Sequence, residues 1–398
     1  MDVSRPILEY MQEQQEAMVG LVRRLARAES PSTVPQAQEE VQALLAQELE
    51  ASGCRVQIIE GEQSGGHLYA EYGQLSDGTP RQLLLGHSDT VWPIGTWAEM
   101  PVVLKGRRLA GPGVFDMKAG LAQMAFALQA LHAVGLEPTV QPVLFVNSDE
   151  EIGSEESTPH IVTLAREANR VFVLEPALGP RGRLKTARKG VGRFQVVVRG
   201  RAAHAGLDPQ KGRSAILEMS HVIQKLFDLN DAQRGISVNV GTVDGGSRAN
   251  VVAPQASAEI DVRVPSRDDV EEIENAILNL QAQTPGVELE VTGQIERCPL
   301  ERTPRNQALW RLARRCGSSL GLELQEGTAG GASDGNTTSQ YAATLDGLGA
   351  VGNGAHAAHE FVYVDRMVER AALLALLLME DPLSAPDAAD DASNDRKL

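Results

Sequence analysis

Three nearly unbroken apolar runs, "QLLLGHSDTV", "VQPVLFVNSDEEIGS" and "VFVLEPA", constrain this chain more than any other feature. A strand with one wet face alternates apolar and polar residues, whereas a continuous apolar run must be covered on both faces. Helical segments separate the three runs. "KAGLAQMAFALQALHAVG" sets Leu121, Met124, Leu128 and Leu131 along one helical face, and "HIVTLAREANR" reads as a second helix. Buried strands alternating with helices build an open, parallel-type α/β sheet with helices on both sides. A helix over "PQAQEEVQALLAQELEASG" and strands over "RVQIIEG" and "HLYAEYG" precede this core.

From about Gly190 the rhythm changes. "GRFQVVVRG" reads as a strand, "SAILEMSHVIQKLFDL" as a helix, "ISVNVGTVDGG" and "ASAEIDVRVP" as strands, "DDVEEIENAILNLQAQ" as a helix and "VELEVTGQI" as a strand. That β-α-β-β-α-β order describes a ferredoxin-like unit. It is inserted into the larger domain, because α/β patterning resumes at "RNQALWRLARRCGSSLG" and closes with the helix "RMVERAALLALLLM". The expected layout is one domain from 1–189 and 301–382, an inserted domain over 190–300, and a disordered acidic tail over 383–398.

Composition removes several classes of function. The 398 residues carry a net charge of −16, which argues against nucleic acid or an anionic membrane surface as partner. Three scattered cysteines (Cys54, Cys298, Cys316) offer neither a disulfide framework nor a thiolate metal site. The first thirty residues read as a polar amphipathic helix rather than a signal peptide, and no apolar stretch reaches the ~20 residues needed to span a bilayer. A cytoplasmic protein is expected.

The strand ends carry the chemistry. The first run stops on His87 and Asp89, the second on Asp149, Glu150 and Glu151, the third on Glu175; a Gly/Pro loop, "AGPGVFDMKAG", delivers Asp116 just before a helix. Any one of these is more often a cap or a solvated acid. Together, at the carboxyl edge of an open α/β sheet where ligands bind, they form a cluster that repels itself unless cations neutralise it. Imidazole with carboxylates suits Zn²⁺, Mn²⁺ or Co²⁺. Asp89, two residues past His87, is placed to accept the second imidazole N–H and fix its tautomer. A further histidine is expected from the C-terminal half, where "GAVGNGAHAAHEFVYVD" offers His356 and His359.

These pieces resemble the dizinc aminoacylase/carboxypeptidase family of metallopeptidases, which includes succinyl-diaminopimelate desuccinylase, acetylornithine deacetylase and glutamate carboxypeptidase. The likeness runs from about Leu21 to Met379 through "GHSDTV", "GPGVFDMKAG", "NSDEEIGS", "LEPA", "GRAAHAG", "NVVAP", "DVRVP" and "GAHAAHEFV"; it is nearest to the glutamate carboxypeptidase branch. The resemblance implies an α/β catalytic domain with an inserted lid that also dimerises. It implies two Zn²⁺ (with Co²⁺ or Mn²⁺ as alternatives), Asp116 bridging them, His87 and Glu175 completing one centre, and Glu151 and His356 the other. Glu150 is then the general base on a metal-bridging hydroxide, with Asp89 behind His87. His204 reaches across a dimer interface to polarise the scissile carbonyl, and Asn250 and Arg263 contact substrate. Arg297 lies near the position that grips an α-carboxylate, and a cis peptide is implied at Asp116–Met117. Glutamate four residues after the last ligand histidine favours His356, followed by Glu360, over His359. Position 119 is alanine where many relatives have glycine.

One stretch stands apart. "RGRLKTARKGVGR", Arg181 to Arg193, concentrates six bases in an otherwise acidic chain. It reads either as a solvated strand and hinge or as a field attracting an acidic substrate. The expected function is hydrolysis of a C-terminal amide of a small peptide or N-acyl amino acid, releasing an acidic residue. A deacylase or dipeptidase of the same family is the alternative; from another class, a non-catalytic metal-binding assembly protein is opposed by the intact Glu150.

Overall fold

A computed structural model describes residues 3–73 and 78–384, and the chain divides into two compact units. One holds the chain up to Thr186, Arg302–Thr328 and the chain from Ser333 onward; the other holds Ala187–Glu301 with Ala329–Ala332. The acidic tail expected over 383–398 lies, from 385 on, outside the described residues.

The first unit is built on a six-stranded sheet with spatial order Cys54–Ile59, His67–Tyr72, Gln141–Asn147, Arg81–His87, Ala168–Val173, Ala343–Leu345. The last four run parallel. His67–Tyr72 is antiparallel to both its neighbours, so the sheet is mixed rather than wholly parallel. The reason lies in the connection: Glu60–Gly66 is too short for the crossover of a dozen or more residues that a parallel pair requires. The apolar runs divide by parity. Leu84, Leu144 and Phe172 pack against the helices Ser4–Glu13, Gln15–Arg27, Gln38–Ala51, Ala119–Val134 and Val364–Met379. Leu83, Leu85, Val143, Phe145, Val171 and Val173 face the other way, onto Ile161 of the helix Thr158–Glu167.

Several elements depart from the sequence reading. The N-terminal segment is two helices broken at Gln14, not one. Residues 168–170, read as the end of a helix, belong to the strand Ala168–Val173. Arg170 explains this: its buried guanidinium donates to Gln82 Oε1 and to the carbonyls of Asp381 and Glu380 at 2.9, 2.7 and 2.6 Å, which holds it in the sheet layer. The helix Ala119–Val134 is buried on twelve of its sixteen residues, so it is covered all round rather than along one face. At its start, a Cβ on Gly120 would sit 2.2 Å from the Leu174 carbonyl oxygen; only glycine lets the helix meet the strand end that leads into Glu175. A second small sheet, ordered Gly352–Asn353, Phe361–Tyr363, Arg108–Ala110, Val103–Lys105, was not read from the sequence and carries the loops of Asp116 and His356.

The second unit is a four-stranded antiparallel sheet, ordered Ser237–Gly245, Gln255–Val264, Gly190–Arg199, Glu288–Arg297. Its helices Ala215–Phe227 and Arg267–Leu278 are capped by Ser214 and Ser266, whose hydroxyls each accept a backbone N–H at 3.2 Å. Val196, Val198, Ala258, Ile260 and Val262 form the core with Val222, Leu226, Ile273 and Ile277 from the helices. Strand order and connectivity make this a ferredoxin-like fold.

Candidate functional site

Strand register fixes where the chemistry emerges. His87 pairs with Asn147, and Leu85 with Val173, so three neighbouring strands end level and the residues that follow leave along one edge of the sheet. Asp116 arrives separately, in a wide turn over Val114–Lys118 where its own φ and ψ (−115°, 98°) are not helical and the Asp116–Met117 peptide is cis. His356 comes from the loop before Phe361–Tyr363 and holds a left-handed φ of 59°, uncommon for a residue with a side chain.

The structure brings five of the named side chains together. Asp116 turns one oxygen to each of two imidazoles: Oδ1 lies 3.3 Å from His87 Nε2, and Oδ2 lies 3.5 Å from His356 Nε2. Each imidazole has a second carboxylate of its own. Glu175 Oε1 is 3.5 Å from His87 Nε2, and Glu151 Oε2 is 3.0 Å from His356 Nε2. Glu150 is beside them: a ring nitrogen of His87 and one oxygen each of Glu150 and Glu175 fall within 4.8 Å of one another, and so do a ring nitrogen of His87 and one oxygen each of Asp116 and Glu151. Proximity therefore allows Glu150 to be either a ligand or a base. His359 is exposed and makes no described contact with this cluster.

Asp89 does more than the sequence suggested. His87 Nδ1 lies 3.0 Å from the Asp89 backbone carbonyl and 3.4 Å from Oδ1, so both groups of this residue face the ring. The fully buried carboxylate also accepts the backbone N–H of Glu150 (3.3 Å), that of Glu151 (3.1 Å) and the Ser32 hydroxyl (2.6 Å). One anion thus orients the imidazole and anchors the turn that carries two acids.

The surrounding carboxylates favour the charged form of both imidazoles. Hydrogen bonds to Asp116 and Glu151 raise His356 to about 10. Burial works against charge on His87, yet Asp116, Asp89 and Glu175 hold it well above its usual value. Burial likewise opposes charge on Asp116, but the two imidazoles keep it well below the ordinary carboxylate range. Burial pushes Glu151 up, and its Oε1 is buried with no hydrogen-bond partner among the described residues. An acceptor oxygen left unpaired beside imidazole nitrogens is what a cation ligand looks like. Asp116, Glu150, Glu151 and Glu175 bring four negative charges, which two divalent cations would neutralise. The N/O donor set fits the borderline-hard divalent metals.

Around the cluster lie residues the sequence reading missed. The buried Glu360 accepts four N–H groups around the Asp116 turn and Trp92. Lys118, buried and lowered to about 7 by that burial, donates to the carbonyls of Leu25 and Ala28 at 2.7 and 2.8 Å, capping the end of the helix Gln15–Arg27. Lys185 Nζ is 3.7 Å from Glu175 Oε2 and 3.9 Å from Asp346 Oδ1. Glu360 had a signal, its spacing from His356, and Lys185 lay in the marked basic stretch; nothing in the sequence marks Lys118. The basic stretch is also partly spoken for. Lys185 and Arg188 are buried, and Arg188 Nη1 donates to the Gly331 and Ala332 carbonyls.

The remaining candidates lie in the second unit. His204 is exposed and its Nδ1 accepts N–H bonds from Gly206 and Leu207 at 3.1 and 3.2 Å. With Nδ1 occupied as an acceptor, Nε2 is the ring nitrogen left to donate. His204 bridges to Val251, and the Ala205 N–H donates to the Asn250 carbonyl, so His204 and Asn250 are local neighbours. Arg263 and Arg297 both pair with Val191 from opposite sides of its strand, at one level of the sheet. The Arg263 fork is engaged by Asp261 through two 2.8 Å bonds.

Residues 186–285 match the family model described as a peptidase dimerisation domain. Carboxypeptidase G2 from Pseudomonas sp. (strain RS-16) is 27% identical over 310 residues, covering 75% of this chain and 73% of that protein. Succinyl-diaminopimelate desuccinylase from Acidovorax ebreus is 26% identical over 298 residues, covering 70% and 75%. Among solved structures, aminopeptidase PepT from Bacillus cereus superposes with a TM-score of 0.75 at 20% identity, over 92% of this chain and 98% of that one. The YXEP protein of Bacillus subtilis, described as a dinuclear metal binding peptidase from the M20 family, gives 0.70 at 15% identity, over 92% and 98%.

Proposed function

We propose that the chain is a hydrolase of the M20 peptidase family, as its likeness to carboxypeptidase G2 and succinyl-diaminopimelate desuccinylase and its match to a peptidase dimerisation domain support, and that it cleaves a C-terminal amide bond with two metal ions, releasing an amino acid. The observation that carries this reading is the split of Asp116, one oxygen toward His87 with Glu175 and the other toward His356 with Glu151. A single carboxylate serving two imidazole–carboxylate sets is the arrangement expected of a bridging ligand.

His87, Asp116 and Glu175 would hold one ion, and Glu151, Asp116 and His356 the other; Zn²⁺ is the first choice, Co²⁺ or Mn²⁺ the alternatives. Such ions supply an activated water and polarise the amide carbonyl. Glu150 takes the proton from that water and delivers it to the departing amine. Asp89 keeps His87 in the tautomer that presents Nε2 and holds Glu150 and Glu151 by their backbone. His204, with its proton on Nε2, donates to the carbonyl oxygen of the scissile bond from across a homodimer, while Asn250, Arg263 and Arg297 hold the substrate. We place the enzyme in the cytoplasm; no described helix is long and apolar enough to cross a membrane.

The released residue is proposed to be acidic, glutamate first, from the resemblance to glutamate carboxypeptidases and the bases around Arg181–Arg193. With Lys185 and Arg188 buried, Arg181, Arg183, Lys189 and Arg193 carry that argument. A deacylase reading is favoured by the likeness to succinyl-diaminopimelate desuccinylase and N-acetyl-L-citrulline deacetylase. The test is kcat/KM for N-acyl-Glu, N-acyl-Asp, N-acyl-Leu and N-acyl-Lys at two salt concentrations. A charge-assisted contact is worth about 1.5–3 kcal/mol, roughly tenfold to a hundredfold in favour of glutamate. Leucine equal to glutamate rejects the acidic preference and leaves a broad aminoacylase.

A further inference from the structure

Glu360 is fully buried four residues after His356, and its carboxylate is saturated by donors. Oε1 accepts the N–H groups of Phe115 and Asp116 at 2.7 and 3.1 Å; Oε2 accepts the Gly113 N–H at 2.8 Å and Trp92 Nε1 at 2.9 Å. A carboxylate offers about four acceptor positions, so four donors leave none for a metal. Glu360 is therefore not a ligand, although it is an acid beside ligands. Its backbone belongs to the other side of the cluster: the Glu360 N–H closes on the Ala357 carbonyl at 2.9 Å, the Ala357 N–H on Gly354 at 2.9 Å, and the Glu360 carbonyl accepts from Gly111 at 3.2 Å. The turn holding His356 and the turn holding Asp116 are thus joined through one residue. Gly354, at φ +86°, permits this closure, since a Cβ there would lie 2.9 Å from Glu360 Cα.

We propose that Glu360 is a positioning residue that sets Asp116 against His356 before any metal arrives, so that metal affinity depends on it. The inference rests on the reading of Asp116 and His356 as ligands. The backbone N–H groups of Gly113, Phe115 and Asp116 would otherwise need partners in a buried turn, and a turn free to reorient them would spread the two Asp116 oxygens over many directions. Loss of such a supporting partner typically weakens metal binding about 10–100-fold.

The test is Zn²⁺ titration of the full chain and of Glu360→Gln against a competing chelator, with metal-free thermal melting of both. Glutamine keeps the length and one acceptor oxygen but turns an amide NH₂ toward two of the donors. Zn²⁺ affinity should fall about 10–100-fold. Affinity within twofold of the parent overturns the proposal, even if the metal-free melting temperature drops, because Glu360 would then serve stability alone. A parent chain that binds no Zn²⁺ overturns both this and the metal-site reading, whereas a binding parent with an unaffected variant overturns only this one. If Glu360→Gln fails to fold, hydrogen exchange on the unsubstituted metal-free chain decides. Slow exchange at the amides of Gly113, Phe115 and Asp116 supports a preset turn; fast exchange that slows only after Zn²⁺ is added refutes it.

Discussion

Replacing Glu150 by glutamine asks whether this acid moves protons or holds metal. The turn that carries it is fixed from outside the side chain: the Glu150 and Glu151 N–H groups are bound to the two Asp89 oxygens at 3.3 and 3.1 Å. Glu150→Gln therefore leaves the backbone and Glu151 in place and removes only the ability to accept a proton. General acid–base transfer supplies about 10²–10⁴-fold, so kcat should fall by that factor, equivalent to about 2.7–5.4 kcal/mol of barrier, with KM near the parent value. Metal content after dialysis, measured by elemental analysis, should match the parent for both Glu150→Gln and Glu150→Ala and fall in Asp116→Ala. The competing possibility is concrete, because a Glu150 oxygen lies within 4.8 Å of ligand atoms of His87 and Glu175. If Glu150→Ala loses as much metal as Asp116→Ala, Glu150 is a ligand and the base must be sought elsewhere. A glutamine variant retaining more than a tenth of parental kcat would also refute the reasoning.

His204→Ala should fold and bind metal as the parent does while losing about 10²–10³-fold in kcat, the usual effect of removing one donor to a developing oxyanion. Mixing it with Glu150→Gln protomers should restore activity in some heterodimers, and no recovery after confirmed subunit exchange rules out action across the dimer. Metal binding should release protons: His356 stands at about 10 and His87 well above its usual value in the metal-free chain, yet both must be neutral to ligate. Calorimetry near pH 7 in buffers of different ionisation heat should report about two protons released per pair of ions, with affinity weakening as pH falls; no proton release contradicts the imidazole assignments. Glu156 accepts the N–H groups of Glu62, Gln63 and Ser64, and although its partial burial opposes charge these bonds lower it to about 2. A depressed carboxylate stabilises above its unfolded value near 4.5 and loses that contribution as pH falls toward 2. Glu156→Gln should thus melt lower than the parent at pH 7, with the gap closing below about pH 4.5, and a pH-independent gap speaks against it.

The catalytic-domain strands were legible because both sheet faces are covered, and Leu83–Leu85 and Val143–Val146 advertise that in a continuous apolar run. The gathering of the candidate site was legible for the same reason: His87, Asp89, Glu150, Glu151 and Glu175 follow the runs within a few residues. What stayed hidden is set by contacts far apart in sequence. Ser32 meets Asp89 and Lys118 meets Leu25 across loops that leave no period in the sequence. The reversal of His67–Tyr72 follows from a connection length, not from the strand's own residues. Residues 168–170 were misread because Ala-Asn-Arg continues a helical pattern locally, whereas the partners of Arg170 come from Gln82, Glu380 and Asp381.

The acids around the site sort themselves by what they accept. Asp89 binds the N–H groups of Glu150 and Glu151, Asp149 those of Glu156 and Ser157, Glu156 those of residues 62–64, and Glu360 those of Gly113, Phe115 and Asp116. Each of these anions has a loop folded around it. Backbone N–H groups stabilise a carboxylate strongly without occupying the space in front of a neighbouring ligand, so the loops around Asp89, Glu156 and Glu360 are held by carboxylates whose oxygens are already occupied, whereas Asp149 uses only Oδ2 and its buried Oδ1 has no hydrogen-bond partner among the described residues. Asp116, Glu151 and Glu175 differ: their described side-chain contacts are with imidazoles and, for Glu175, with Lys185. In the sequence Asp89 and Glu360 are set apart only by their spacing from His87 and His356, and the other five acids look alike, since each stands near an apolar strand or a Gly-rich turn. The distinction between an acid that shapes a loop and an acid that faces a cation is made by the direction of nearby N–H groups, and that direction exists only once the loops have closed.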